Sequence, residues 1–307
     1  MKFTIHQNSR QGARPYNQDR IAYSYNKEAL LAVVADGMGG HRHGEIAAQL
    51  AVKTLAEAFE RLAMPSLKNP ARFLSDYIMQ VHDAIDSFML ANDLIDSPRT
   101  TIVAAVLQNN KLYCAHVGDS RLYHFRDGRL LYRTEDHSIV QMLYNRGQIA
   151  HQDMLKHPDR NKIYNCLGGE KRPDIELANT RSLRDGDILL LCTDGLWSTM
   201  DDARIGDILH DGIISETVPR LLDAAEALGK KHGDNLSAIG LQWGDDLHDL
   251  LTVSTLTMPL GSTTTIMDAI ANQHSPNDNI DTLDLTDDEI ERAIAEIQVA
   301  LHKTKRK

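Results

Sequence analysis

Three short apolar runs in this chain each end on an aspartate. "LLAVVAD" ends at Asp36, "LYCAHVGD" at Asp119 and "ILLLCTD" at Asp194. Apolar runs of this length are typical of buried β-strands. A single Asp-Gly after a strand most often marks a turn or a helix cap. Three such ends in one chain predict instead that carboxylates gather where the strands end.

Two further aspartates lie just before predicted strands. Asp19 in "RPYNQDR" precedes "IAYSY", and Asp234 precedes "LSAIGL". Clustered carboxylates repel one another unless they are protonated or neutralised by a divalent cation. Mg²⁺ and Mn²⁺ accept all-oxygen ligation and retain waters that need room, which the glycines of "DGMGG" leave free. The pattern therefore indicates a hard-cation site.

The order of the predicted elements favours an α+β fold. The run at 100–134 reads as three strands joined by the turns "QNNK" and "RDGR", which is typical of an antiparallel meander. Helices are predicted at 44–62, 71–90 and about 215–230, and further strands at 29–36, 187–197 and 236–243. Because strands and helices are segregated, we expect sheets packed on each other with helix pairs outside.

Composition narrows the class of protein. A chain of 307 residues that is 42% hydrophobic can bury a substantial core. Its three cysteines lack the spacing of a zinc site or a disulfide framework, so a reducing, cytoplasmic environment is expected. The first residues, "MKFTIHQNSR", contain no apolar signal core, and no run approaches the ~20 apolar residues of a membrane span. No membrane association is predicted.

The net charge of −10 is concentrated near the C-terminus, where residues 245–307 carry 12 acidic and 5 basic side chains. No basic patch elsewhere suggests binding to nucleic acid. Residues 245–285 read as a polar, acidic linker. Residues 286–307 read as an amphipathic helix with a basic end, opened by a capping box of Thr286 and Glu289. That helix could dock on its own catalytic domain, on a partner or on a second copy.

Seven sequence blocks between about residues 8 and 244 carry a resemblance. They are "RPYNQDR", "VVADGMGGHRHGEIAA", "TTIVAAVL", "AHVGDSRLYHFRDGRL", "TEDHSIVQMLYNRGQI", "LLLCTDGLW" and "GDNLSAIGL". In these blocks the chain resembles the metal-dependent serine/threonine protein phosphatases of the type 2C family, bacterial branch. The resemblance implies a catalytic domain at 1–244. It also implies a four-layer αββα sandwich of two antiparallel β-sheets flanked by helix pairs, with the metal centre at one edge.

The resemblance also implies a set of ligands for two Mn²⁺ or Mg²⁺ ions. By position, Asp36 bridges both ions, and the backbone carbonyl of Gly37 ligates one of them. Asp194 and Asp234 complete the shell of the first ion. Asp19 acts nearby, largely through bound water.

Further roles follow from the same resemblance. Asp119 matches the residue that, with Asp194, holds a third ion in bacterial members. Arg14 matches the arginine that grips the substrate phosphate, and its planar guanidinium suits two phosphate oxygens. A metal-bridging water would attack phosphorus in line, so no side-chain nucleophile is needed.

Two positions depart from the family pattern. Gln18 stands where many members have glutamate, so a water-mediated negative contact to one ion is missing or replaced by an amide. Met38 stands where eukaryotic relatives have a histidine that protonates the leaving group. His41 or His43 could take that role, or both could simply lie on a polar loop. We favour His41, because bacterial relatives have a histidine after "DGMGG".

Three functions fit these residues. The first is a protein phosphatase that hydrolyses phosphoserine and phosphothreonine and opposes a serine/threonine kinase. The second is a metallohydrolase of a small phosphorylated metabolite, since a metal centre reads a phosphate and not its carrier. The third is a catalytically silent binding module of the same fold. The retained Arg14, Asp36, Asp194 and Asp234 favour an active enzyme over the silent module.

Overall fold

The computed structural model describes residues 1–38, 43–154, 156–244 and 252–267. The strands within these ranges are β1 Lys2–Arg10, β2 Asp19–Tyr25, β3 Ala29–Asp36, β4 Ile102–Gln108, β5 Lys111–Val117, β6 Arg121–Arg126, β7 Arg129–Arg133, β8 Glu176–Leu177, β9 Arg181–Ser182, β10 Ile188–Cys192, β11 Leu236–Trp243, β12 Val253–Ser254 and β13 Thr264–Met267. The helices are α1 Gly44–Leu62, α2 Pro70–Ala91, α3 Ile139–Asn145, α4 His151–Met154, α5 Asp194–Trp197, α6 Asp202–His210 and α7 Ile214–Gly229.

The strands form two antiparallel sheets. One has the order β12-β1-β11-β10-β6-β7, and the other has the order β13-β2-β3-β4-β5-β8, with β9 also paired to β5. The prediction of three strands in one meander at 100–134 is partly wrong, because this run forms four strands, β4 to β7, and β5 and β6 belong to different sheets. The run makes two hairpins, β4 with β5 and β6 with β7, one in each sheet. The chain therefore crosses from one sheet to the other at "VGDS", next to Asp119.

The two sheets and the helices on their outer faces form four layers, and a cluster of buried apolar residues lies between each pair of neighbouring layers. Alternate residues of β3 point to opposite faces, so Leu31 and Val33 pack against α1 and α2, whereas Leu30 and Val34 pack between the sheets. The outer face of the sheet that contains β10 and β11 packs against α5, α6 and α7, around Leu190 and other buried residues. The α+β, four-layer sandwich predicted from the sequence is confirmed.

One predicted strand is partly wrong. The run at 187–197 is a strand only as far as Cys192, and Asp194–Trp197 is a helical turn. The physical reason is a close approach at Gly195, where a β-carbon would lie 2.0 Å from the backbone oxygen of Asn235. The chain turns into a helix here instead of continuing along the sheet.

Two short strands lie inside the stretch 245–285 that is predicted to be a linker. β12 pairs with β1, and β13 pairs with β2, each at the edge of a sheet. Thr255 is fully buried, accepts a hydrogen bond from the N-terminal ammonium of Met1 at 2.9 Å and donates to the backbone oxygen of Lys27 at 2.8 Å. This part of the stretch therefore belongs to the sandwich. The predicted helix at 286–307 lies outside the described residues.

None of the helices in the described ranges is long and apolar enough to cross a membrane.

Candidate metal centre

Five aspartates meet at one edge of the sandwich. β2 begins at Asp19 and β3 ends at Asp36, and these two residues are direct cross-strand partners. Asp119 follows the end of β5, Asp194 follows the end of β10, and Asp234 precedes the start of β11. Because neighbouring strands are antiparallel, these starts and ends lie on the same side of their sheets. The structure thus brings together all five carboxylates that the sequence singled out.

Burial and the closeness of the carboxylates to one another raise the pKa values of four of them. Burial, together with the charges of Asp194 and Asp234, raises the pKa of Asp19 to about 7. Burial and the charge of Asp234 likewise raise the pKa of Asp194 to about 7. The pKa values of Asp36 and Asp119 lie well above the ordinary range, first because of burial and then because of neighbouring carboxylates. All these groups can be ionised together only if a cation compensates them.

Asp36 is fixed through its backbone by two threonines. Thr100 Oγ1 and the Thr101 amide both donate to the Asp36 carbonyl oxygen at 2.9 Å. The Thr101 hydroxyl in turn accepts from the Asp36 amide at 3.2 Å. This role could not be predicted from the sequence, in which "TT" reads only as the start of a strand.

Gly37 has no room for a side chain. A β-carbon there would lie 2.4 Å from the backbone oxygen of Gly44 and 2.7 Å from that of Gln18. Both neighbours are backbone atoms and cannot turn aside. The chain after Asp36 must therefore be glycine for the start of α1 to pack beside it.

Trp197 holds the backbone of Asp119, and a buried ion pair between Arg121 and Asp136 packs against Trp197. Trp197 Nε1 donates to the Asp119 carbonyl oxygen at 2.9 Å. The guanidinium of Arg121 stacks 3.5 Å from the centroid of the Trp197 ring and binds both carboxylate oxygens of Asp136 at 2.7 Å. Sequence reasoning did not assign a role to these three supporting residues.

Arg14 lies at the rim of the centre. Its Nη2 donates to Asp234 Oδ2 at 2.5 Å, and its side chain is 50% exposed. The hydrogen bond to Asp234, together with the charges of Asp194 and Asp36, raises the pKa of Arg14. A half-exposed guanidinium beside the carboxylates can reach an incoming anion.

The chain departs from the family pattern at Gln18 and at Met38, for which His41 or His43 could substitute. Gln18 Nε2 donates to Glu45 Oε2 at 3.0 Å, so helix α1 places a carboxylate next to the amide. His43 precedes α1 with a positive φ of 68° and has its Nδ1 3.9 Å from Glu45 Oε1. His41, the predicted acid, lies outside the described residues.

A separate cluster of His116, His137 and Glu176 has potential metal-ligand atoms within 4.8 Å of one another. His137 Nδ1 faces two donors, the Gly118 amide at 3.2 Å and the Asn165 side-chain amide at 2.7 Å. The proton of neutral His137 must then reside on Nε2, which faces Glu176 Oε2 at 3.3 Å. A protonated nitrogen has no lone pair for a metal. We interpret the cluster as a hydrogen-bonded support and not as a metal site.

The aspartate cluster, in contrast, suits a hard divalent cation. Its donors are all oxygens, the preference of Mg²⁺ and Mn²⁺. Asp19 Oδ1 is buried and has no hydrogen-bond partner among the described residues, which leaves it available to an ion or an ion-bound water. A sandwich of two sheets with such a centre at its edge and an arginine beside it defines a metal-dependent phosphatase.

The comparisons with known proteins place the chain within that class. The family model described as "Protein phosphatase 2C" matches residues 7–230. The chain belongs to the protein phosphatase 2C family.

Individual relatives agree with this assignment. The chain is 31% identical to the serine/threonine phosphatase stp of Listeria welshimeri, over 74% of this chain and 90% of that protein. The crystal structure of the Mycobacterium tuberculosis serine/threonine phosphatase PstP/Ppp matches with a TM-score of 0.71 and 30% identity, over 80% of this chain and 100% of that one. A structure of the PstP catalytic domain in complex with two manganese ions matches with a TM-score of 0.67 and 29% identity, over 78% and 98% of the two chains.

Proposed function

We propose that this protein hydrolyses phosphoserine and phosphothreonine in phosphoproteins at a centre of two or three Mn²⁺ or Mg²⁺ ions. The observation that carries the proposal is the meeting of five carboxylates at one edge of the sandwich, with Arg14 beside them. Asp36, Gly37, Asp194 and Asp234 would hold the central pair of ions, with Asp19 acting through water. Asp119 and Asp194 would hold a third. The manganese complex of the related PstP domain supports this choice of ion.

In the proposed reaction, the metal ions and the protein side chains have different roles. When bound, the divalent ions acidify a water that serves as the nucleophile and offset charge on the phosphoryl oxygens. Arg14 exchanges its contact with Asp234 for two phosphate oxygens and orients the phosphorus for in-line attack. Asp36 and Asp194, whose backbones are fixed by strand ends, hold the geometry of the centre. His41 would donate a proton to the departing serine or threonine oxygen.

We further propose that the protein acts in the cytoplasm. There it would dephosphorylate the products of a cognate serine/threonine kinase. The three cysteines are free, which fits a reducing compartment. Docking through the predicted helix at 286–307, on the catalytic domain or on a partner, remains part of the proposal.

A substrate panel tests the proposal. Phosphothreonine and phosphoserine peptides and a set of small phosphorylated metabolites are assayed at equal concentration with Mn²⁺. We expect kcat/KM for the peptides to exceed that for every metabolite by at least about tenfold, a difference of about 1.4 kcal/mol in transition-state binding. A metabolite hydrolysed better than all peptides would support the small-molecule hydrolase instead. The Asp36→Asn variant serves as the control for contaminating phosphatases.

A further inference from the structure

The carboxylate of Asp19 is held by a hydroxyl group from the opposite sheet. Asp19 is 2% exposed, and Thr193 Oγ1 donates to its Oδ2 at 2.9 Å. Thr193 is completely buried, so its hydroxyl contacts Asp19 and not solvent.

The direction of the hydrogen bond to Asp19 follows from the donors available. Thr193 Oγ1 accepts from the Ser237 amide at 3.1 Å, so its own hydrogen is free for Asp19. The hydroxyl oxygens of Ser237 and Ser9 share a hydrogen bond of 2.7 Å. Ser9 Oγ also accepts from Asn17 Nδ2 at 2.8 Å. The result is a chain of hydrogen bonds from Asn17 through Ser9 and Ser237 to Thr193, which donates to Asp19.

This chain connects the two sheets beneath the metal centre. Ser9 on β1 and Ser237 on β11 are cross-strand partners in one sheet, and Thr193 directly follows β10 of the same sheet. Asp19, in contrast, begins β2 of the other sheet. One sheet thereby orients a carboxylate that the other sheet contributes.

We infer that Thr193 is a positioning residue that occupies one side of the Asp19 carboxylate and directs Oδ1 towards the metal centre. Oδ1 is buried and has no partner among the residues that the structure describes, in contrast to Oδ2. Hydrogen bonds behind a metal-binding carboxylate fix its orientation and tune its affinity. The inference rests on the metal centre proposed above.

The test is the affinity of the full-length, metal-stripped protein for Mn²⁺, measured by calorimetric titration without substrate. Thr193→Val preserves shape and removes the hydroxyl, and we expect its dissociation constant for Mn²⁺ to rise by about tenfold or more. Thr193→Ser restores the donor and should return the constant to within about threefold of wild type. Thr217→Val is the matched control, because Thr217 is equally buried but its hydroxyl has no partner in the described structure.

Two further variants keep the inference testable if Thr193→Val does not fold. Thr193→Ala removes the same donor with a smaller side chain, and Ser237→Ala removes the hydroxyl of the residue whose amide donates to Thr193. We expect both to weaken Mn²⁺ binding, with the smaller effect for Ser237→Ala. A purely structural role would lower the melting temperature of these variants and leave the Mn²⁺ dissociation constant at its wild-type value, and that result would overturn the inference. Wild-type protein that binds no Mn²⁺ would overturn the proposed metal centre itself.

Discussion

At the scale of single residues, the proposed site separates groups that would hold ions from a group that would bind phosphate. Asp119 is buried and Asp36 is half-buried, and both have pKa values well above the ordinary range, whereas the Arg14 side chain is half exposed at the rim. Removing an ion-holding carboxylate should therefore affect the chemical step. Removing Arg14 should affect substrate binding first.

Arg14→Ala and Asp119→Ala should differ in kinetics. We expect Arg14→Ala to raise KM for a phosphothreonine peptide by about tenfold, the effect of losing a charged hydrogen bond of roughly 1.5–3 kcal/mol. Asp119→Ala should lower kcat while two ions remain bound, because in the proposed function Asp119 would hold only an additional ion. Steady-state kinetics and Mn²⁺ titration check both expectations. Loss of all Mn²⁺ binding in Asp119→Ala, or the same kcat loss in both variants, would contradict this division of roles.

At the scale of elements, the turn from β3 into α1 depends on a close backbone approach. We expect Gly37→Ala to lower the melting temperature by roughly 4 °C or more and to weaken Mn²⁺ binding, because its β-carbon would lie 2.4 Å from the Gly44 oxygen. Gly229→Ala is the control, since a β-carbon at Gly229 meets nothing within 4 Å and the residue has helical φ and ψ. Thermal denaturation of both variants tests the expectation. An unchanged melting temperature in Gly37→Ala would show that the turn relaxes easily.

Local patterns in the sequence predicted most of the elements. The helix predicted at 44–62 is α1, Gly44–Leu62, and the helix predicted at 71–90 is α2, Pro70–Ala91. Amphipathic periodicity is a property of neighbouring residues, so it can be read without knowing the fold. The meeting of the aspartates was predictable only in part, because in an antiparallel sheet the end of one strand lies beside the start of its neighbour. Asp36 and Asp119 share a side because β4 lies between β3 and β5, and that strand order had to come from the structure.

Features that depend on distant pairing were not predictable. Thr193 and Asp19 lie 174 positions apart, and nothing near either residue signals their hydrogen bond. The helical turn Asp194–Trp197 is set by the approach of Asn235, which a strand-like sequence cannot reveal. The edge strands β12 and β13 have polar, weakly periodic sequences and gain their order from pairing with β1 and β2.

At the scale of the whole molecule, the segment 252–267 belongs to the sandwich. A chain ending at Gly244 would lose both edge strands and the buried Thr255, whose hydrogen bonds reach Met1 and Lys27. At about 1 kcal/mol for each lost hydrogen bond, we expect the melting temperature to fall by at least about 4 °C. A chain ending at Met267 is the control, because it keeps both edge strands and Thr255 and should melt above the chain ending at Gly244. Equal melting of the two shortened chains would show that the edge strands contribute no stability.

The metal-free protein should become less stable as pH rises. Asp19 and Asp194 have a folded-state pKa of about 7, against an ordinary value of 3.8, so the folded state retains protons that the unfolded state has released. Their favourable contribution is complete below pH 3.8 and is lost as the pH rises through about 7. We expect metal-stripped protein to melt at a higher temperature at pH 6 than at pH 8, and Mn²⁺ to stabilise it more at pH 8. A melting temperature that rises between pH 6 and 8 without metal would contradict the charge cluster.

The most direct measurement is the rate of phosphothreonine peptide hydrolysis by metal-stripped protein as Mn²⁺ is added back. We predict no activity after complete chelation, recovery in proportion to bound Mn²⁺, and a loss of at least about a hundredfold in Asp194→Asn, since an ion contributes several kcal/mol to the transition state. Full activity after exhaustive chelation, or a near-normal rate in Asp194→Asn, would contradict a metal centre built by these aspartates.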